Sequence, residues 1–240
     1  RGKIQHVGSV KGQTDAVYLN LAKRFNAIAS QSIDLVNDSV IKLANEATFV
    51  IENEKYEGEN GTAFYMSGVG FITCFHCTSD YEQVLYRPKY MKEKIRVKRK
   101  FYNDEKDLAI LEPIDAVTIE ESYKKTQHQV CYGDKITLVG YPEHGPGKKI
   151  TIKDGHVTSF GQYIGQSYIK ISQPIVGGNS GGPLLDSYGR VVAVAQRGLG
   201  TTGKAANVEF FGAIPVNAVM DLFEKEQKVI KHPEKISKKT

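Results

Sequence analysis

Apolar side chains recur at Val17, Leu21, Phe25, Ile28, Ala29, Ile33, Val36, Val40 and Leu43, in steps of three and four with polar residues between them. That spacing is helical. It predicts one long helix or two shorter ones over about 14–44, capped by Thr14 or Asp15. Such a stripe has to be covered, by the domain behind it or by a partner. Residues 1–14 are polar and glycine-containing and read as a loose lead-in. From about residue 47 the pattern becomes β: short, β-branched or aromatic runs at 47–52, 62–75, 84–86, 95–98, 108–111, 135–139, 149–152, 156–160, 168–171, 183–185, 191–195 and 210–214. Turn signals separate them at Pro88, Asn103-Asp104, Gly133-Asp134, Pro142 to Gly147, Asp154-Gly155 and Ser187 to Gly189. Many short strands with frequent turns predict an all-β barrel or sandwich. After Pro215 the helical period returns at Val216, Val219, Leu222 and Phe223, followed by lysine-rich sequence.

Composition narrows this only a little. Of 240 residues, 40% are hydrophobic and 25% charged, ordinary for a globular chain. The net charge of +5 sits partly in Lys228, Lys231, Lys235, Lys238 and Lys239. Those lysines predict a basic, solvated and disordered tail over 228–240. The alternative, an electrostatic arm for nucleic acid or anionic lipid, lacks interleaved aromatic residues for base stacking, so nucleic acid is not expected as a partner. No apolar run is long enough to span a membrane. Three cysteines, Cys74, Cys77 and Cys131, form no disulfide framework. With no signal-peptide pattern at the start, they predict a cytoplasmic setting, although a chain that starts at Arg1 could be trimmed.

The most specific string is Gly177-Gly178-Asn179-Ser180-Gly181-Gly182-Pro183. It reads as a plain glycine-rich turn or as a loop that turns backbone N–H groups toward a ligand beside a nucleophilic serine. In the second reading, the N–H groups of Gly178 and Ser180 would stabilise an oxyanion. A serine hydroxyl needs a base at neutral pH. Six histidines are available, and His76 stands out at the end of an apolar strand. By itself, a histidine between Phe75 and Cys77 is more often simply packed. Zinc is a further reading of Cys74, His76, Cys77 and Cys131, but adjacent His-Cys does not match structural zinc spacing, so no metal and no cofactor is expected. Asp107 heads the apolar run 108–111 and would be buried enough to want a partner, which His76 supplies. It reads equally as a surface acid beside Asp104 and Glu105. The chain order His, Asp, Ser would put His76 and Asp107 in one half and Ser180 in the other, with a cleft between two barrels gathering all three.

Three strings carry a family resemblance. Thr73-Cys74-Phe75-His76-Cys77 resembles T-A-A-H-C, Asp107 to Leu111 is similar to D-[IL]-A-[LI]-L, and Gly178 to Pro183 resembles the G-[DN]-S-G-G-P loop of chymotrypsin-like serine proteases. Asn179 points toward the HtrA/Deg-type trypsin-like peptidases. Leu138 to Pro142, Asp154 to Ser159 and Phe211 to Val219 agree with that subgroup. The resemblance spans about 47–225. It implies a mainly β chymotrypsin-like fold: an N-terminal helical extension 1–46, a peptidase domain 47–227 and the tail 228–240. Within the domain it implies six-stranded Greek-key barrels at about 47–120 and 128–215, then a helix over 216–227. It also implies a serine endopeptidase acting through an acyl-enzyme on protein or peptide substrates, with Ser180 as nucleophile, His76 as base, Asp107 orienting the histidine, and Gly178 and Ser180 as oxyanion hole. For the substrate pocket it implies Pro174 and the wall strand Ala193, Val194, Ala195 and Gln196. No charge lies there, so a small or medium apolar residue is predicted before the scissile bond. No cysteine precedes Cys74 to pair with Cys77, and no I-V-G-G-like start or PDZ-like domain is seen. The helix over 14–44 would join a regulatory protein or a second copy. A protease-shaped binding or scaffold module is the competing expectation.

Overall fold

The computed structural model describes residues 38–53, 60–88, 93–142, 149–163, 166–197 and 211–231. Most of the predicted helical extension, including its stripe from Val17 to Val36, lies outside them, as does the end of the basic tail. Residues 38–47 are helical (α1), three residues further than the periodicity predicts. Ala44 and Ala47 are fully buried. Lys42 pairs with Glu121 at 2.7 Å, and Arg87 donates to the Glu46 carboxylate at 2.7 Å.

Twelve strands follow. The first six are β1 (Thr48–Asn53), β2 (Asn60–Met66), β3 (Gly70–Thr73), β4 (Gln83–Tyr86), β5 (Ile95–Asn103) and β6 (Leu108–Pro113), closed in the order β1-β2-β3-β6-β5-β4. The second six are β7 (Lys135–Gly140), β8 (Thr151–Tyr163), β9 (Gln166–Ile171), β10 (Pro183–Leu185), β11 (Val191–Arg197) and β12 (Phe211–Pro215), closed in the order β10-β11-β12-β9-β8-β7. Two closed six-stranded barrels are the predicted architecture. Closure leaves no unpaired edge.

Each barrel is filled by the inward face of its strands, because successive side chains point to opposite sides. Phe49 and Ile51, Phe71, Leu85, Val97, and Ala109 and Leu111 fill barrel one. Ile136 and Leu138, Val157, Ile169 and Ile171, Leu184, and Ala193 and Ala195 fill barrel two. Burying each of the larger aliphatic or aromatic residues contributes about 1.5–3 kcal/mol.

Two boundaries differ from expectation. The predicted run 62–75 is a hairpin of β2 and β3 followed by a short 3-10 turn, Phe75–Cys77. Conversely, the runs 149–152 and 156–160 are one strand, β8, despite Asp154-Gly155. Asp154 is held in the sheet by Thr137 Oγ1 at 2.8 Å and Lys135 at 2.9 Å. Gly155 makes room for the Gln173 amide, which a Cβ would meet at 2.0 Å. Gln173 in turn donates to Lys153 O at 3.2 Å. Packing here overrides a local turn signal.

The connection between barrels is stitched to both. Tyr123 exchanges backbone bonds with Tyr65 and Ser67, and its hydroxyl lies 2.8 Å from Thr48 Oγ1. Thr126 donates its N–H to Val191 O at 2.9 Å and its hydroxyl to Asp186 at 2.8 Å. After β12 comes α2 (Val216–Lys231), with Val216, Val219 and Leu222 buried. Residues 228–231, assigned by composition to a solvated, disordered tail, are exposed but helical. Lys228 and Lys231 lie in the last turn, where positive charge complements the helix dipole. No described helix is long and apolar enough to cross a membrane.

Candidate active site

His76 lies in the 3-10 turn that ends β3. Its backbone N–H donates to Asp107 Oδ1 at 2.8 Å, and its ring Nδ1 lies 2.7 Å from Asp107 Oδ2. The carboxylate therefore grips both the main chain and the ring, which puts the proton on Nδ1 and leaves Nε2 as the basic nitrogen. Asp107 closes the turn 104–107 with φ at +51°, an uncommon conformation for a non-glycine residue. Its own N–H donates to Asp104 O at 3.0 Å, and its carbonyl accepts from Phe75 N–H at 3.1 Å. These bonds hold the left-handed turn. Gln196 Nε2 adds a third donor to the carboxylate, at 2.6 Å on Oδ2.

Burial works against protonating His76, but the bonded Asp107 and the neighbouring Cys77 sulfur outweigh it. The imidazole pKa is raised well above its ordinary 6.5. Burial pushes the Cys74 thiol up, whereas the Cys74 contact, against burial, and His76 pull the Cys77 thiol down.

Ser180 lies between β9 and β10 and is 5% exposed. Its loop is fixed by backbone bonds: Asn179 N–H to Val176 O, Gly181 N–H to Ala195 O, and Gly182 N–H to Asn179 O. The N–H groups of Gly178 and Ser180 have no partner among the described residues, the availability an oxyanion hole needs. Gly181 has φ at +85°, and a Cβ there would meet Thr62 O at 2.1 Å and Thr73 Oγ1 at 2.2 Å. Only glycine fits.

Contacts around Ser180 tie it to the other two residues. Gln196 reaches Asp107, while the next residue, Arg197, donates its N–H to Ser180 Oγ at 3.3 Å. Cys77, which follows His76, directs Sγ at Ser180 O at 3.6 Å. The structure thus joins His76 to Asp107 directly and links Ser180 to them only through Cys77, Gln196 and Arg197. Among the described residues no hydrogen bond joins Ser180 Oγ to His76; that oxygen accepts from Arg197 N–H and keeps its own proton to donate. Catalytic hydrogen bonds are often long or misaligned before substrate binds.

Two supporting residues escaped sequence reasoning. Thr62 uses all of its polar groups: N–H to Ser180 O at 2.8 Å, Oγ1 to Gly178 O at 2.6 Å, Oγ1 accepting from Tyr141 N–H at 3.0 Å, and O accepting from Thr73 Oγ1 at 2.8 Å. A threonine in a strand gives no sign of such a role. Gln196 was expected in a pocket wall and faces Asp107 instead; a buried glutamine at the end of an apolar strand is the signal that was open to another reading. The buried side-chain amide of Asn179 has no hydrogen-bond partner among the described residues. As possible metal donors, Cys74, His76 and Asp107 offer atoms within 4.8 Å of one another. However, the Cys74 thiol is buried and donates to Ala195 O at 3.3 Å, and the other two are bonded to each other. Such a set fits a metal poorly.

The family model for the trypsin-like peptidase domain matches residues 61–194, more than half of the chain, and spans all three of these residues. This chain belongs to the trypsin-like peptidase domain family. A probable periplasmic serine endoprotease DegP-like of Pseudomonas fluorescens is 28% identical over 169 residues, covering 68% of this chain and 34% of its own length. An uncharacterized protein, y4bJ, of Sinorhizobium fredii is 35% identical over 100 residues, covering 40% and 15%. The chain thus spans about a third or less of these relatives. Among solved structures, the HtrA-type protease AlgW with tripeptide superposes with a TM-score of 0.64 at 23% identity, over 81% of this chain and 63% of that one. The Rv3671c protease from M. tuberculosis in its active form gives 0.61 at 19% identity, over 79% and 86%. These likenesses show the chymotrypsin-like fold.

For this trypsin-like peptidase domain, the predicted pocket residues fall in different places. Pro174 is exposed. Ala193 and Ala195 point their side chains into the barrel-two core. Val194 is buried on the other face of β11. Of the remaining histidines, His156 lies 3.4 Å from Ser172 Oγ, and His128 tilts against Tyr188. His6, His144 and His232 lie outside the described residues.

Proposed function

We propose that the chain is a serine endopeptidase acting on protein or peptide substrates. Ser180 Oγ attacks the scissile carbonyl, His76 Nε2 takes its proton, and the imidazolium returns that proton to the leaving amine as the C–N bond breaks. Asp107 holds the ring and stabilises the imidazolium. The Gly178 and Ser180 N–H groups bind the oxyanion, and water, activated by the same imidazole, releases the acyl-enzyme. The observation that carries this reading is the two-point grip of Asp107 on His76, at 2.8 and 2.7 Å, beside a serine loop with two N–H groups that have no partner among the described residues. A binding or scaffold module would gain nothing from that arrangement.

The Ser180 hydroxyl accepts from Arg197 N–H at 3.3 Å and keeps its own proton, so it remains able to donate to the imidazole. The test is cleavage of an unfolded protein and a peptide library by wild type beside Ser180→Ala. Cleavage by wild type alone is expected. Equal cleavage by both, or by neither, would overturn the reading.

A further inference from the structure

Two residues of the turn that carries His76 remain unused by this mechanism. Cys74 and Cys77 flank Phe75-His76 in a C-x-x-C spacing. The 3-10 turn brings them together: Cys77 N–H donates to Cys74 O at 3.1 Å. A one-turn separation of this kind brings Cα atoms into the range a disulfide spans, about 4.4–6.8 Å. Both thiols are free. Cys74 is fully buried with Sγ on Ala195 O at 3.3 Å, while Cys77 is half-buried with Sγ on Ser180 O at 3.6 Å. Each thiol therefore rests on a backbone carbonyl of the nucleophile side: Ser180 itself, and the strand residue before Gln196.

We propose that Cys74 and Cys77 form a reversible disulfide that switches the peptidase off through the turn holding His76. The proposal rests on the peptidase reading above for its effect on activity, though not for the bond itself. The oxidant is a small disulfide such as oxidised glutathione. The more accessible Cys77, as thiolate, attacks one glutathione sulfur, forming a mixed disulfide and releasing one glutathione thiolate. Cys74, deprotonated, then attacks Cys77 Sγ and releases the second. Two protein thiols are oxidised, one small disulfide is reduced to two thiols, and the two protein protons end on the two glutathiones. The lowered Cys77 thiol pKa and the raised Cys74 one suit this order of attack.

The effect on catalysis follows from position. To bond, the two sulfurs leave Ala195 O and Ser180 O and close a small ring around Phe75 and His76. Both bonds from His76 to Asp107 depend on where that turn sits. A misplacement of about 1 Å in such a site lowers rate on the order of 10²-fold.

The experiment equilibrates the Cys131→Ser protein, which removes the exposed third thiol, with reduced and oxidised glutathione at graded ratios. Intact mass gives the state of the pair, and peptide hydrolysis is measured on the same samples. Loss of two hydrogens without a glutathione adduct is expected, with activity falling at least tenfold in parallel and returning on reduction. In a Cys77→Ser, Cys131→Ser protein, activity should be insensitive to the ratio. Two results would overturn the proposal: no intramolecular disulfide at any ratio, or a full disulfide with activity unchanged. Reduced protein that neither hydrolyses peptide nor reacts at Ser180 with a fluorophosphonate sinks the peptidase reading, and the switch with it. In that case the mass measurement still reports separately whether the bond forms.

Discussion

Barrel one and barrel two hold their shares of the site by different means. Barrel one fixes His76 and Asp107 through side-chain bonds that are already closed, on a turn and a left-handed residue at the ends of β3 and β6. Barrel two fixes Ser180 through main-chain bonds of a glycine loop, and its hydroxyl is bonded to a backbone N–H rather than to the imidazole. The base is paired with its carboxylate before substrate arrives, and the serine hydroxyl, an acceptor from Arg197 N–H, keeps its proton to donate. Thr62 and Gln196 cross between the halves. Thr62, from barrel one, holds the serine loop, and Gln196, from barrel two, holds the carboxylate.

Breaking each half should therefore give different losses. On the nucleophile side, Ser180→Ala should lower kcat by about 10⁴–10⁶-fold with the fold intact by circular dichroism. On the base side, Asp107→Asn should cost on the order of 10⁴-fold in kcat, since an amide in place of the carboxylate favours the wrong ring tautomer. Its KM should change little.

The crossing residues sharpen the comparison with smaller effects. Thr62→Val keeps the shape but leaves Gly178 O and Tyr141 N–H without their partner. Each buried unsatisfied group costs about 1–3 kcal/mol, so Tm should drop by at least several degrees and kcat/KM by about tenfold or more. Gln196→Leu removes one donor to a charged carboxylate, a bond of about 1.5–3 kcal/mol. A fall in kcat/KM of about tenfold is expected, with less change in Tm than for Thr62→Val. Equal Tm losses for the two variants would contradict the division drawn here.

The subtlest effect is on pH dependence. The imidazole pKa is raised above 6.5, so the basic form, and with it kcat/KM, should appear only as pH rises through that higher value. The stabilising His76–Asp107 interaction has the opposite sign: it is fully present below about 6.5 and is lost as pH rises through the raised value. Asp107→Asn should move the kinetic midpoint back toward 6.5. A wild-type midpoint at or below 6.5 would count against the pairing seen here.

The sequence made much of this legible because barrels and nucleophile loops leave local marks. Glycines around Ser180, an acid at the head of 108–111 and a histidine at a strand end are all readable without coordinates. What stayed hidden depends on contacts between distant segments. Asp154-Gly155 looks like a turn until Gln173 is seen lying over the glycine. Thr62 looks like any strand threonine until Gly178 and Tyr141 are found on its hydroxyl. Ala193 and Ala195 gave no sign of turning their side chains into the core, because family position does not reveal which face of β11 turns inward.

Whether residues 76 and 180 act as one unit is most directly tested by the rate at which a fluorophosphonate acylates Ser180, followed by mass against pH in wild type and His76→Ala. Labelling confined to Ser180 is expected, rising with pH in wild type and slower by about 10²–10⁴-fold, with a flatter profile, in the variant. Equal rates in the two proteins, or labelling elsewhere in the chain, would contradict the account.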